Sequence, residues 1–144
     1  MSGHALDRLV ENVEHGRFER SLSGLTAAGA LITGAEIWLE HDRASFANRM
    51  MWLPVMLTPL VAAAGVGGVF SKPLAKTALP AVSAVLVANG LQGTYLHIRG
   101  IAQRPGGWRY ARFNAEMGPP LFAPMLATMV GGMGLLAALL RREA

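Results

Sequence analysis

Two histidines sit in matching surroundings. The stretch Gly34-Ala-Glu36-Ile-Trp38-Leu-Glu40-His41-Asp42-Arg43 is echoed by Gly90-Leu-Gln92-Gly93-Thr94-Tyr95-Leu96-His97-Ile98-Arg99. Gly34/Gly90, His41/His97 and Arg43/Arg99 coincide without a gap, and Glu36 is matched by Gln92. Imidazole is a versatile metal ligand and acid–base group. Two imidazoles on neighbouring helices could therefore ligate one haem iron or a divalent metal. Positions seven apart on a helix return to nearly the same face, so each histidine shares a face with its glycine. If the glycine faces of the two segments met, His41 and His97 would converge at the mouth of that contact. Set against this is a plainer reading, two interfacial histidines bonded to loop carbonyls or water. No third ligand and no known cofactor spacing accompanies the pair, so no dedicated metal centre is expected.

Glu36 is the second candidate. It lies about one turn inside an apolar run, and an intramembrane acid is by default a functional candidate. Asn89, Gln92 and Arg99 occupy the corresponding face of the second stretch. Glu36 could serve a proton-linked step, lie beside a quinone together with Arg99, or anchor an arginine of another chain. Its shallow position favours snorkelling to the interface or pairing with Arg43 or Arg99.

The segments that carry these residues are oily. Only 15% of the chain is charged, against roughly a quarter in soluble domains. Residues 22–39 hold one charge, Glu36, and residues 50–71, 77–96 and 117–140 hold none. About 20 mainly apolar helical residues cross a hydrocarbon core, and a soluble helix of that length would need a polar face. The expected fold is an all-α integral membrane protein with four transmembrane helices, at about 21–40, 50–71, 77–97 and 117–140. Residues 21–144 form the membrane domain. Residues 1–20, with Leu6, Leu9, Val10 and Val13 at helical spacing, form a short amphipathic N-terminal helix for a membrane surface or a partner.

The echo extends into the following spans. Ala44-x-Phe46, Asn48, Met51, Pro54 and Pro59 can be laid on Ala111-x-Phe113, Asn114, Met117, Pro120 and Pro124 with one-residue gaps, residues 100–110 being an insertion. Tandem duplication of a helical hairpin is the expectation, because His, Arg, Phe and Asn match as well as the commoner residues. Such a repeat places a pseudo-twofold axis along the membrane normal. Gly34, Gly90, Gly131 and Gly132 are expected to allow close helix packing.

The absence of cysteine excludes disulfides, thiolate metal sites and covalent c-type haem. Arg43, Arg99, Arg104, Trp108, Arg109 and Arg112 gather on the side of the first and third loops, a basic and aromatic surface suited to lipid headgroups or an acidic partner. Beside membrane spans this composition argues against nucleic acid. Seven cations on the side of the termini face six on the other, a slight bias towards termini inside the cytoplasmic (inner) membrane.

Three functions compete on these residues. The first is a small non-catalytic subunit packed against a larger membrane protein complex and its lipids. The second is a haem- or quinone-binding membrane anchor of a bioenergetic redox or photosynthetic complex. The third is a small proton-coupled transporter using Glu36. The scarcity of buried polar groups favours the first, and the chain is not expected to be an enzyme on its own.

Overall fold

The computed structural model describes residues 3–142, without the side chain of Val13. The described residues contain helices and turns and no strand. Helix α1 (Gly3–Glu14) is joined to α2 (Arg17–Arg43) through Gly16, whose left-handed backbone (φ 67°) lets the chain turn sharply between them. A 3₁₀ turn, Arg49–Met51, leads into α3 (Trp52–Phe70). A single turn of helix, α4 (Lys72–Lys76), connects to α5 (Ala78–Ala102). The third loop folds into a 3₁₀ turn, Gly107–Tyr110, and α6 (Ala111–Glu116), before α7 (Phe122–Leu140) closes the chain.

Four helical segments are long and apolar enough to cross a membrane: Arg17–Arg43, Arg49–Phe70, Lys72–Ala102 and Phe122–Leu140. The last starts five residues later than its hydropathy suggests. Gly118, Pro119 and Pro120 interrupt the apolar run, and prolines supply no amide to continue a helix backwards.

Large side chains point outwards and small ones inwards. Leu31, Ile32, Phe70, Leu91, Phe122 and Leu139 are exposed, whereas Ser23, Thr26, Ala30, Ser83, Ala127 and Ala137 are buried. Hydrocarbon does not drive helices together as water does, so close fit between small residues must hold such a bundle. The four long helices form a ring in the order α2, α3, α5, α7 and back to α2. The tightest packing lies within each hairpin, α2 on α3 and α5 on α7.

Both hairpins use the same devices. A methyl group on Gly65 would fall 2.8 Å from the Ser23 carbonyl oxygen and 2.9 Å from the Ala27 nitrogen; one on Gly131 would fall 2.8 Å from the Ser83 oxygen and 3.0 Å from the Val87 nitrogen. Towards the first and third loops, Gly34 faces Thr58 and Gly90 faces Thr128. Each threonine donates its hydroxyl proton to the carbonyl of a proline four residues earlier, Thr58 to Pro54 (3.0 Å) and Thr128 to Pro124 (3.1 Å). Pro54 therefore corresponds in place to Pro124, one helical turn away from the Pro54/Pro120 pairing read off the sequence. Phe113 and Asn114 likewise do not reproduce the surroundings of Phe46 and Asn48. Asn114 is buried and donates to the Pro105 and Gly107 carbonyls at 3.1 and 2.8 Å, while Asn48 caps the 3₁₀ turn at the Met50 amide.

The second hairpin is shorter by one turn between its two close contacts. Eleven residues separate Ser23 from Gly34 but seven separate Ser83 from Gly90; seven separate Thr58 from Gly65 but three separate Thr128 from Gly131. The spacing is shorter by four residues in both α5 and α7 than in α2 and α3, so the contacts stay in step.

Two packing expectations are corrected here. Gly34 and Gly90 pack inside their own hairpins, and α2 and α5 stand on a diagonal of the ring. Gly132 has no atom within 4 Å of an added methyl group, and Gly134, against Ser83 and Thr26, fills the role expected of it.

The end of the bundle that carries the termini is sealed by a buried polar layer. Arg141, at the C-terminal end of α7, is buried and donates to the Gly68 carbonyl of α3. Lys76 donates to the Ala138 carbonyl (2.7 Å), satisfying one of the last carbonyls of α7. Glu19 is fully buried one turn below Ser23, and neither carboxylate oxygen has a hydrogen-bond partner among the described residues. Gly68 touches Ser23 and binds Arg141, so acid and guanidinium occupy the same layer.

Two predictions follow from the packing. Gly131→Ala should cost about 1–3 kcal/mol through backbone overlap, whereas Gly132→Ala should be neutral or slightly stabilising; thermal unfolding in detergent measures both. Arg141 donates to a main-chain oxygen that its loss would leave buried and short of a donor. Arg141→Met should therefore destabilise the bundle by about 1–3 kcal/mol in the same measurement.

Candidate functional site

At the opposite end, a cavity of about 620 Å³ opens between the hairpins, within the range of small-molecule and cofactor sites. Ile37, Gly90 and Ala127 contribute apolar wall, and Arg43, Arg99 and Gln103 also line it. Both His41 and His97 line the same cavity.

The histidines reach it at one depth. Gly134 of α7 touches Thr26 of α2 and Ser83 of α5, which places those two residues level. From there His41 is fifteen residues along α2 and His97 fourteen along α5, a difference of about 1.5 Å in rise. The missing turn of the second hairpin is compensated by a shift between the hairpins.

Each imidazole is held by a backbone carbonyl. His41 Nδ1 lies 2.7 Å from the Met51 oxygen and His97 Nδ1 lies 2.7 Å from the Pro120 oxygen. A carbonyl can only accept, so Nδ1 carries the proton in both rings. In the neutral ring, Nε2 then keeps its lone pair, the arrangement that fixes tautomer and direction in metal-ligating histidines.

His41 has additional support. The Phe46 ring meets it edge-on, with centroids 6.0 Å apart and planes at 76°, and Phe46 stacks on Trp52 at 4.0 Å and 16°. The turn that puts Phe46 there has positive φ at two non-glycine residues, Ser45 (54°) and Phe46 (45°). Such conformations cost energy and persist where surrounding contacts hold them. The Phe46 amide also closes on the His41 carbonyl at 2.9 Å.

The other residues singled out from the sequence divide cleanly. Asn89, Gln92, Arg43, Arg99 and Gly90 line the cavity with the histidines. Arg43 pairs with Glu40 at 2.9 Å on the surface. Glu36 does not line the cavity and lies exposed on the outside of α2. Trp108, Arg109 and Arg112 are exposed on the third loop, Arg112 paired with Glu116 at 2.9 Å. Arg104 is half-buried beneath that loop, its side chain against Gly118. Gly131 belongs to the α5–α7 contact at the far side of the cavity floor.

Sequence reasoning did not find the carbonyls of Met51 and Pro120, because backbone groups leave no side-chain signature. The Pro119-Pro120 pair was an available hint, since it interrupts a helix and frees carbonyls near His97. Glu19 falls within residues 1–20, the segment expected to form an amphipathic helix ahead of the first span. Its spacing to Ser23, Thr26, Ala30, Thr33 and Ile37 marks it as the first member of the buried stripe of α2.

Among the described residues, no three or more His, Cys, Asp or Glu side chains are grouped to hold a metal ion. The site thus offers two imidazole ligands and no more. Comparison with known protein families, curated proteins and solved structures gives no match.

Both histidines are expected to be the Nδ1–H tautomer, with Nε2 unprotonated. Nitrogen-15 NMR of selectively labelled histidine in detergent or bilayers reads this directly from the two ring-nitrogen shifts.

Proposed function

We propose that this chain is a small integral membrane subunit that holds a haem between His41 and His97 and serves as a cofactor-bearing anchor in a larger redox or photosynthetic assembly. The observation that carries this reading is the pair of carbonyl-oriented imidazoles on one cavity. A bare divalent cation would need more protein ligands than the two offered. A tetrapyrrole brings four nitrogens of its own and asks the protein only for axial ligands. The cavity volume suits a flat cofactor, and Arg43 and Arg99 are suited to its carboxylate side chains.

Bound in this way, the haem would supply one-electron chemistry. The chain's own residues would bind and orient the ring, and the lipid-facing leucines, isoleucines and phenylalanines would keep it in a membrane. A quinone would find donors for its carbonyls in Arg43, Arg99, Asn89 and Gln92 on the same wall, but it would leave both Nε2 lone pairs unused. Carbonyl-bound histidines alone also suit a purely structural subunit; what favours a cofactor is that both rings line one cavity. The transporter reading loses its acid, since Glu36 stands outside the cavity. We further infer two copies of one hairpin unit, on the repeated glycine–serine and glycine–threonine contacts, and an inner-membrane location with the termini inside.

Purification from haem-replete cells in mild detergent tests the reading. The expected result is a Soret band at about one haem per chain, lost in the double variant His41→Ala/His97→Ala while the helical circular dichroism is retained. A colourless wild-type protein that co-purifies with large membrane partners would instead leave the structural subunit standing.

A further inference from the structure

The two imidazoles are equivalent in chemistry but not in support. His41 is fixed from three directions: by the Met51 carbonyl at 2.7 Å, by the edge of Phe46, and by the Phe46–Trp52 stack behind that ring. Its carbonyl partner sits in a 3₁₀ turn that runs straight into α3 and is capped by Asn48. The strained turn at Ser45 and Phe46 keeps the clamp shut.

His97 has one such restraint, the Pro120 carbonyl at 2.7 Å. That carbonyl belongs to the irregular residues 118–121, which follow the last helical bond of α6, from the Met117 amide to the Phe113 carbonyl at 2.9 Å, and precede α7. No aromatic ring packs against His97 among the described residues. On the α5 and α7 side the cavity wall includes Gly90, Gly93, Ala123 and Pro124 together with the larger Gln92 and Leu96; Gly93 and Gly90, about one and two turns before His97, add no side chain beside it.

We propose that His97 is the exchangeable axial ligand and that the reduced site takes a small neutral π-acceptor, with carbon monoxide as the probe, in the place His97 vacates. This rests on the haem reading above. The bond given up is iron to His97 Nε2 and the bond formed is iron to the probe's carbon, with no change in oxidation state. His41 stays in place as the opposite ligand, and His97 keeps its Nδ1 proton on the Pro120 carbonyl or transfers that hydrogen bond to water.

The test uses the purified, haem-loaded full chain, reduced with dithionite and exposed to carbon monoxide. The expected result is a reduced-plus-carbon-monoxide minus reduced difference spectrum in the wild type, with faster and fuller binding in His97→Ala. His97→Ala should still hold haem, while His41→Ala should lose it. Phe46→Leu, which removes the aromatic clamp and keeps both ligands, should weaken haem retention by about tenfold or more, the scale on which outer-shell partners of metal ligands act. A haem-loaded wild type with no response to carbon monoxide would overturn the inference and leave the haem reading intact. So would equal haem retention in His41→Ala and His97→Ala. A wild type that takes up no haem would overturn both.

Discussion

Close approach of helix backbones at glycine is the constraint on which the bundle depends. In lipid, large apolar side chains gain little by leaving the solvent for the interior; many leucines and phenylalanines stay outside, and glycine, alanine, serine and threonine share the inside with a few larger residues such as Val61, Leu79 and Leu86. Gly65 and Gly131 press against the backbone of the preceding span, and Gly34 and Gly90 receive a threonine side chain nearer the first and third loops. Each hairpin is thereby fixed at two levels. The cavity lies between the hairpins, where bulkier contacts and the prolines of α3 and α7 hold the helices apart.

The polar groups sort to the two ends of this framework. At the end with the termini Glu19 and Arg141 are buried, and the exposed Lys76 reaches in to the Ala138 carbonyl. At the other, polar groups surround an open cavity. Between the ends lies an apolar layer that includes Ala30, Val61, Leu86, Ala127 and Val130. A chain built this way opens its polar cavity towards one end of the bundle and closes the other.

Much of the fold was legible because it follows from solvent. Runs of uncharged residues announce spans, and no alternative packing can place them in water. The pairing of His41 with His97 was legible because imidazole and arginine are rare in such runs, so their recurrence at one spacing stands out. Contacts between helices were harder to read. Glycine tells that a neighbour approaches but not which one, and Gly34 and Gly90 were assigned to each other when each belongs to a threonine one span later. Register was harder still. Pro54 matches Pro124 only once four residues are removed from both helices of the second hairpin, a change that leaves every periodicity intact. The state of the imidazoles depends on main-chain oxygens, which every residue carries and which therefore mark none.

The missing turn also bears on Glu19. Its counterpart in the second hairpin, one turn before Ser83, is Leu79, which is buried against Gly68. Two identical hairpins would have brought a pair of carboxylates into one dry layer, where each raises the cost of ionising the other. With leucine in the second place, the layer holds a single acid beside a single guanidinium. Joining both hairpins in one polypeptide is what permits such a mismatch, since a symmetric pair of separate chains must carry every substitution twice.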